Sequence, residues 1–206
     1  MATGDAAVTA VLAEYSALRI EIDRRSHAQQ TLTNLALTFS GALLAYAVAH
    51  QVIAVLLLQP IVVCALGLLY TDHGSMIMRI GRYLHRHSAA EVARLTGEPG
   101  LMRWEESPER NPLKGWRPRW LGPPLLIFVV APVATVLVSL GIEIVRPSGW
   151  STGPLAVPLP VIGLLWLADI VMIGLVCFSF FFVFRGDALE RLVSGSPQAP
   201  AASAGG

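Results

Sequence analysis

Between Thr31 and Tyr70 the chain carries no Asp, Glu, Lys or Arg. A helix crosses a bilayer with ~20 predominantly apolar residues, so this stretch is too long for one crossing and suits two. Its polar break near the middle is His50-Gln51. The break predicts a tight helical hairpin, with a first span over Thr31–Ala49 and a second over Val52–Tyr70. Two further apolar blocks predict a third span over Leu121–Val145 and a fourth over Pro160–Phe184. The Pro-, Gly- and Ser-rich segment Arg146–Leu159 between them reads as a loop. Composition agrees: only 14% of residues are charged and 54% are hydrophobic, against about 25% charged in an ordinary soluble domain. The expected fold is all-α, a polytopic membrane protein with four transmembrane helices and cytosolic helical extensions, and its first partner is the lipid bilayer.

Orientation follows from the basic residues. The N-terminal segment holds Arg19, Arg24 and Arg25. The central loop holds Arg79, Arg82, Arg86, Arg94, Arg103, Arg110, Lys114, Arg117 and Arg119, and the tail holds Arg185 and Arg191. Of the 15 Lys and Arg in the chain, only Arg146 falls on the other side. The positive-inside rule therefore predicts cytoplasmic N- and C-termini in a multi-pass protein of the cell (inner or plasma) membrane. An even number of spans is what allows all three segments to share one face. Residues 1–30 contain no apolar signal-peptide core, so the first span is expected to act as the insertion signal.

The chain then divides into a cytosolic amphipathic helix (1–30), a transmembrane hairpin (31–70), a cytosolic basic loop with a helix (71–120), two further spans (121–184) and a mostly disordered cytosolic tail (185–206). In the first segment Val8, Val11 or Leu12, Tyr15, Leu18 and Ile22 recur at three- and four-residue steps, the period of a helix with one apolar face. That helix is expected to run straight into the first span. The second span is expected to continue as a helix through Met76, Ile77, Ile80, Tyr83 and Leu84. The stretch from Gly97 to Pro124, rich in proline, should be mostly irregular.

Known catalytic and cofactor signatures are missing: there is no phosphate-binding glycine loop, no His-Glu-x-x-His and no Gly-x-Ser-x-Gly. His85 and His87 stand two apart and would point to different sides of a helix, so no metal site is expected. Cys64 and Cys177 both lie in apolar blocks and read as buried small hydrophobes. Neither enzymatic activity nor a cofactor is expected, and the net charge of +1 argues against nucleic acid as the main partner.

Polar groups inside the spans carry the functional signal. Asp169 lies near the middle of the fourth span, where an ionised carboxylate costs about 2.5–3.5 kcal/mol on insertion scales. It should face another helix or water, either lining a polar path or standing as a protonated, hydrogen-bonded structural group. Thr135, Ser139 and Glu143 form a line at four-residue spacing on the third span, bent one turn earlier by Pro132. A similar line, Thr31, Asn34, Thr38, Gly41 and Ala45, marks the first span, and Gln59-Pro60 interrupts the second. Such small and hydroxyl faces also serve as packing surfaces between membrane helices. On the cytosolic side Arg79, Arg82 and Arg86 form one basic helical face, fit for lipid headgroups, a cytosolic protein or an anionic ligand. Trp104, Trp116 and Trp120 alternate with Lys114, Arg117 and Arg119 before the third span, which is the pattern of an interfacial anchor.

The order of Glu14-Tyr15-Ser16-Ala17-Leu18-Arg19-Ile20-Glu21-Ile22, the hairpin, Asp72-His73, Arg79-Ile80-Gly81-Arg82-Tyr83-Leu84 and Trp104-Glu105 resembles a group of small bacterial membrane proteins. More loosely, a cytosolic helix followed by a membrane hairpin is similar to SLATT-type and four-span effectors of bacterial anti-phage systems. That resemblance implies a homo-oligomer that permeabilises the membrane when its cytosolic part receives a signal. The expectation is thus an oligomeric pore or gated polar path. The alternative is a non-catalytic scaffold or accessory subunit, and a small transporter ranks behind both because no inverted repeat is evident.

Overall fold

The computed structural model describes residues 2–84, 87, 89–97, 122–145 and 158–194. Among them there is no strand, and four helices are long and apolar enough to cross a membrane. Helix α1 spans Ala2–His50. No proline occurs before Pro60, so nothing removes a backbone donor along α1, and the amphipathic segment and the first apolar block form one rod. At 1.5 Å per residue it is about 73 Å long, more than twice the ~30 Å of a hydrocarbon core. In its first half Val8, Val11, Tyr15, Leu18 and Ile22 are partly buried, whereas Leu12 is 48% exposed. Val11 rather than Leu12 therefore belongs to the packed stripe.

The hairpin turns where the sequence breaks. Gln51 adopts a left-handed φ of 53°, and the N–H of Val52 reaches back to the carbonyl of Ala47 at 3.1 Å. This is the 6→1 bond of a Schellman motif, with Gln51 in the position that glycine usually takes. Helix α2, Ile53–Tyr83, then runs antiparallel to α1 along its whole length. Gln59 Nε2 donates to Ser40 Oγ at 3.0 Å, Gln29 Nε2 to the carbonyl of Tyr70 at 3.1 Å, and Tyr83 Oη to Glu14 Oε1 at 2.8 Å. Helix α3, Ala89–Thr96, packs on α1 and buries Val92. Arg94 forks onto Glu91 on the same helix and holds that carboxyl below the usual range.

Helix α4 is continuous from Gly122–Leu125 through a π-helical turn, Leu126–Val130, into Ala131–Val145. Pro132 explains the turn: it has no N–H to offer the carbonyl of Phe128 four residues back, and the helix widens there. The two prolines at 123 and 124, read as part of an irregular stretch, instead open this helix, where a missing N–H costs nothing. Helix α5 spans Leu159–Ser194. It continues ten residues past Phe184 into the segment expected to be a mostly disordered tail, of which residues 195–206 lie outside the described residues.

Helix α2 is the centre of the bundle. It packs against α1, α4 and α5, while α4 and α5 touch each other only briefly. In its most apolar stretch 44% of residues are buried, against 11% in α1 and 17% in both α4 and α5. Two core clusters hold the helices together. Ala36, Val63, Cys64, Phe128, Val176 and Phe180 form one, and Ile53, Leu57 and Ile162 the other. Tyr70 bridges the first, its ring centroid 5.2 Å from that of Phe128 and 6.4 Å from that of Phe180. Phe128 lies against Cys64 and Gly67 while Ile142 packs on the cluster of Ile53 and Leu57, which makes α4 antiparallel to α2. The Thr71–Ser179 hydrogen bond of 2.8 Å and the Ile53–Ile162 contact make α5 parallel to it. Successive apolar helices thus alternate in direction, as four crossings of one membrane require.

Candidate functional site

The side of α5 that meets α2 is set by a seven-residue repeat. Ile162, Asp169 and Val176 are buried in succession, with Phe180 one turn on. Residues seven apart lie on one helix face, so Asp169 occupies a core position between two aliphatic ones, near the middle of the apolar stretch Pro160–Val183. Its relative exposure is 0%, and neither carboxyl oxygen has a hydrogen-bond partner. Leaving a buried acceptor unmatched costs about 1–3 kcal/mol, and more if it is charged.

The helix registers place this carboxyl in a particular layer. With Ile53 level with Ile162 and Thr71 level with Ser179, Asp169 stands level with Pro60–Ile61 of α2. With Phe128 beside Cys64 and Gly67, Pro132 of α4 stands level with the turn from Pro60 to Val63. Pro60, Pro132, Cys64 and Asp169 are all fully buried. Two prolines on the two helices adjoining α5 therefore interrupt their backbones at the depth of Asp169, the one carboxyl buried among the described residues. Each strips a donor from the carbonyl four residues earlier: Leu56 on α2 and Phe128 on α4. The second finds a partner, because Cys64 Sγ donates to the Phe128 carbonyl at 4.0 Å.

Other polar groups in the bundle are better provided for. Thr135 Oγ1 donates to the carbonyl of Ala131 at 3.0 Å, and buried Ser139 Oγ to that of Val136 at 2.7 Å. Both hydroxyls are thus satisfied on their own helix, the ordinary arrangement for hydroxyls inside a helix bundle. Thr71 and Ser179 satisfy each other. Gln59 is half matched: its amide nitrogen bonds Ser40 while Oε1 is buried without a partner. Among the described residues His73 Nδ1 is the other buried side-chain atom of this kind.

The expected site residues do not form one cluster. Thr135 and Ser139 share the α2-facing side of α4 with Pro132, about one and two turns from it, whereas the side chain of Glu143 lies outside those the structure describes. Asn34 is exposed, together with Thr31, Thr38, Gly41 and Ala45. This line lies on the side of α1 opposite Ala36, Ser40 and Ala47, which face α2. Arg79 is exposed and Arg82 half-buried near the far end of α2. Arg86, Trp104, Trp116, Trp120, Arg117 and Arg119 lie outside the described residues. Among those described, no group of His, Cys, Asp and Glu could hold a metal ion.

The feature missed by reading spans singly is the common depth of Pro60, Pro132 and Asp169. Counting inward from the helix ends matches Pro60, nine positions past Gln51, with Asp169, nine past Pro160, but Pro132 stands thirteen before Val145, so the shared layer of all three is not readable from spacing. Compared with known proteins, the chain matches no protein-family model, no curated protein and no solved structure.

Proposed function

We propose that this chain is a homo-oligomeric integral protein of the cell membrane that forms or gates a polar path, as an effector opened by a signal received on its cytosolic helices. Asp169 carries the reading: a carboxyl buried mid-span without a partner is retained at a cost of a few kcal/mol, and such groups mark ion and proton pathways. The seam between α4 and α5 supports it too, because those helices meet only briefly and Asp169 lies on one of them. A shift of α4 about its π turn and Pro132 would open that seam without disturbing the α1–α2 hairpin. The charge distribution supports a cytoplasmic position for both termini and the segment around Arg94. The protruding α1–α2 hairpin, with Arg79 and Arg82, then offers a cytosolic surface to a protein or an anionic ligand.

The second reading, a non-conducting scaffold, is favoured by the internal pairing of Thr71 with Ser179 and by the self-satisfied Thr135 and Ser139. Liposomes containing purified protein separate the two. A path lined by Asp169 gives cation flux that Asp169→Asn reduces or makes unselective, with fold and particle mass preserved. A scaffold gives no flux, accepts Asn quietly, and is weakened by Asp169→Leu by up to ~2 kcal/mol. Wild-type flux untouched by Asp169→Asn would move the lining away from Asp169.

A further inference from the structure

We propose that Asp169 is a proton-binding site, whose acid hydrogen is received by the carbonyl of Leu56 that Pro60 leaves without a helical donor. Both oxygens of Asp169 are buried and unpartnered, and a carboxylate in that position would be a bare charge among Ile162, Val176 and the prolines. As the acid, it becomes a donor and needs an acceptor. The Cα–Cβ bond of a helical residue tilts toward the helix N-terminus, so the Asp169 side chain leans toward the level of Trp166. On parallel α2 that level is Leu57–Leu58, and the Leu56 carbonyl, pointing toward the C-terminal end of its helix, emerges there. The equivalent carbonyl on α4, that of Phe128, is already taken by Cys64, and the unmatched Gln59 Oε1 belongs to an amide turned to Ser40 on α1, so the Leu56 carbonyl is the acceptor on the α5 side of the layer.

Few titratable groups face Asp169. On α2 the titratable side chain within range of its charge is the thiol of Cys64. The described side chains of α4 carry none, and on α5 itself the next is Cys177, which is exposed on another face. Release breaks the Asp169 O–H bond and passes the proton to a water molecule admitted at the α4–α5 seam. Rebinding takes it from hydronium. The Leu56 carbonyl loses its donor in the first step and regains it in the second.

The proposal rests on the membrane placement of α5 but not on conduction, and the test is chosen accordingly. An apolar carbodiimide, which reaches carboxyls from within the lipid, couples to the protonated acid by adding the O–H across its C=N bond. The full-length protein in liposomes is labelled over a range from about pH 5 to about pH 9, and the peptide containing Asp169 is followed by mass spectrometry. Labelling of Asp169 is expected to fall about tenfold or more across that range, to be indifferent to sodium and to be absent in D169N. Pro60→Ala restores an N–H to the Leu56 carbonyl and should lower labelling at neutral pH several-fold. Labelling that is absent or flat with pH overturns the site. Protection by sodium overturns it in favour of a metal-cation site, and unchanged labelling in P60A overturns the role of Leu56. Liposomes without flux but with pH-dependent labelling would remove the conducting function and leave the proton site standing. Flux without labelling would do the reverse.

Discussion

Gly67 offers the sharpest test of how α2 and α4 meet. A Cβ added there would stand 3.1 Å from Phe128 Cβ and 3.2 Å from both its Cγ and Cδ1, whereas carbon atoms are best separated by about 3.5–4.0 Å. Phe128 Cβ is fixed to its backbone and its ring is fully buried against Tyr70, so no rotamer change relieves the contact. The two helices must part by a few tenths of an ångström, and overpacking of this kind costs about 1–3 kcal/mol. Alanine also gains up to about 1 kcal/mol over glycine in helix propensity, which would mask part of the effect. Gly41 supplies the correction: it is helical too, and a Cβ there meets nothing within 4 Å. The gain from propensity cancels between Gly67→Ala and Gly41→Ala, so the difference in their unfolding free energies reads the packing cost. We expect that difference to be about 1–3 kcal/mol, measured by SDS titration in mixed micelles under monomeric conditions and followed by tryptophan fluorescence. In a Phe128→Ala background, itself costing about 3–5 kcal/mol, the penalty at Gly67 should shrink by at least about 0.5 kcal/mol. Equal stabilities for the two glycine variants would refute the close approach of α2 and α4.

Gln51→Gly should stabilise the hairpin by about 1 kcal/mol in the same titration, because glycine adopts the left-handed φ without the penalty other residues incur; a loss of stability would mean that the Gln51 side chain contributes there. Gly41→Leu or Leu12→Asp should leave the monomer intact, since both positions face outward, yet shift the detergent-solubilised particle to a smaller mass. An unchanged monomeric mass in wild type and both variants would remove the oligomer. In a background lacking Cys64 and Cys177, a cysteine at Ser151 should be modified from outside intact cells and one at Ser107 spared; the opposite pattern would invert the orientation.

What the sequence determined by itself is the set of elements. An uncharged run from Thr31 to Tyr70 has no soluble solution and is twice the length of one span, so the hairpin and its break at His50-Gln51 were legible from polarity alone. The absence of proline before Pro60 likewise made one rod of α1, because helix continuity is a local property of the backbone. Which helix lies at the centre was not legible. All four spans are predominantly apolar around their circumference, and in lipid an apolar face does not declare whether it meets hydrocarbon or another helix. Only the packing put α2 in the middle, turned the Asn34 line outward and left Thr135 and Ser139 satisfied on their own helix. The candidate site divides the same way. Asp169 was conspicuous as a carboxyl in an apolar run, since its cost depends on depth alone. Its alignment with Pro60 and Pro132 depends on the registers of three helices, set by side-chain contacts between positions more than a hundred residues apart, such as Thr71 with Ser179, and no local pattern carries that information.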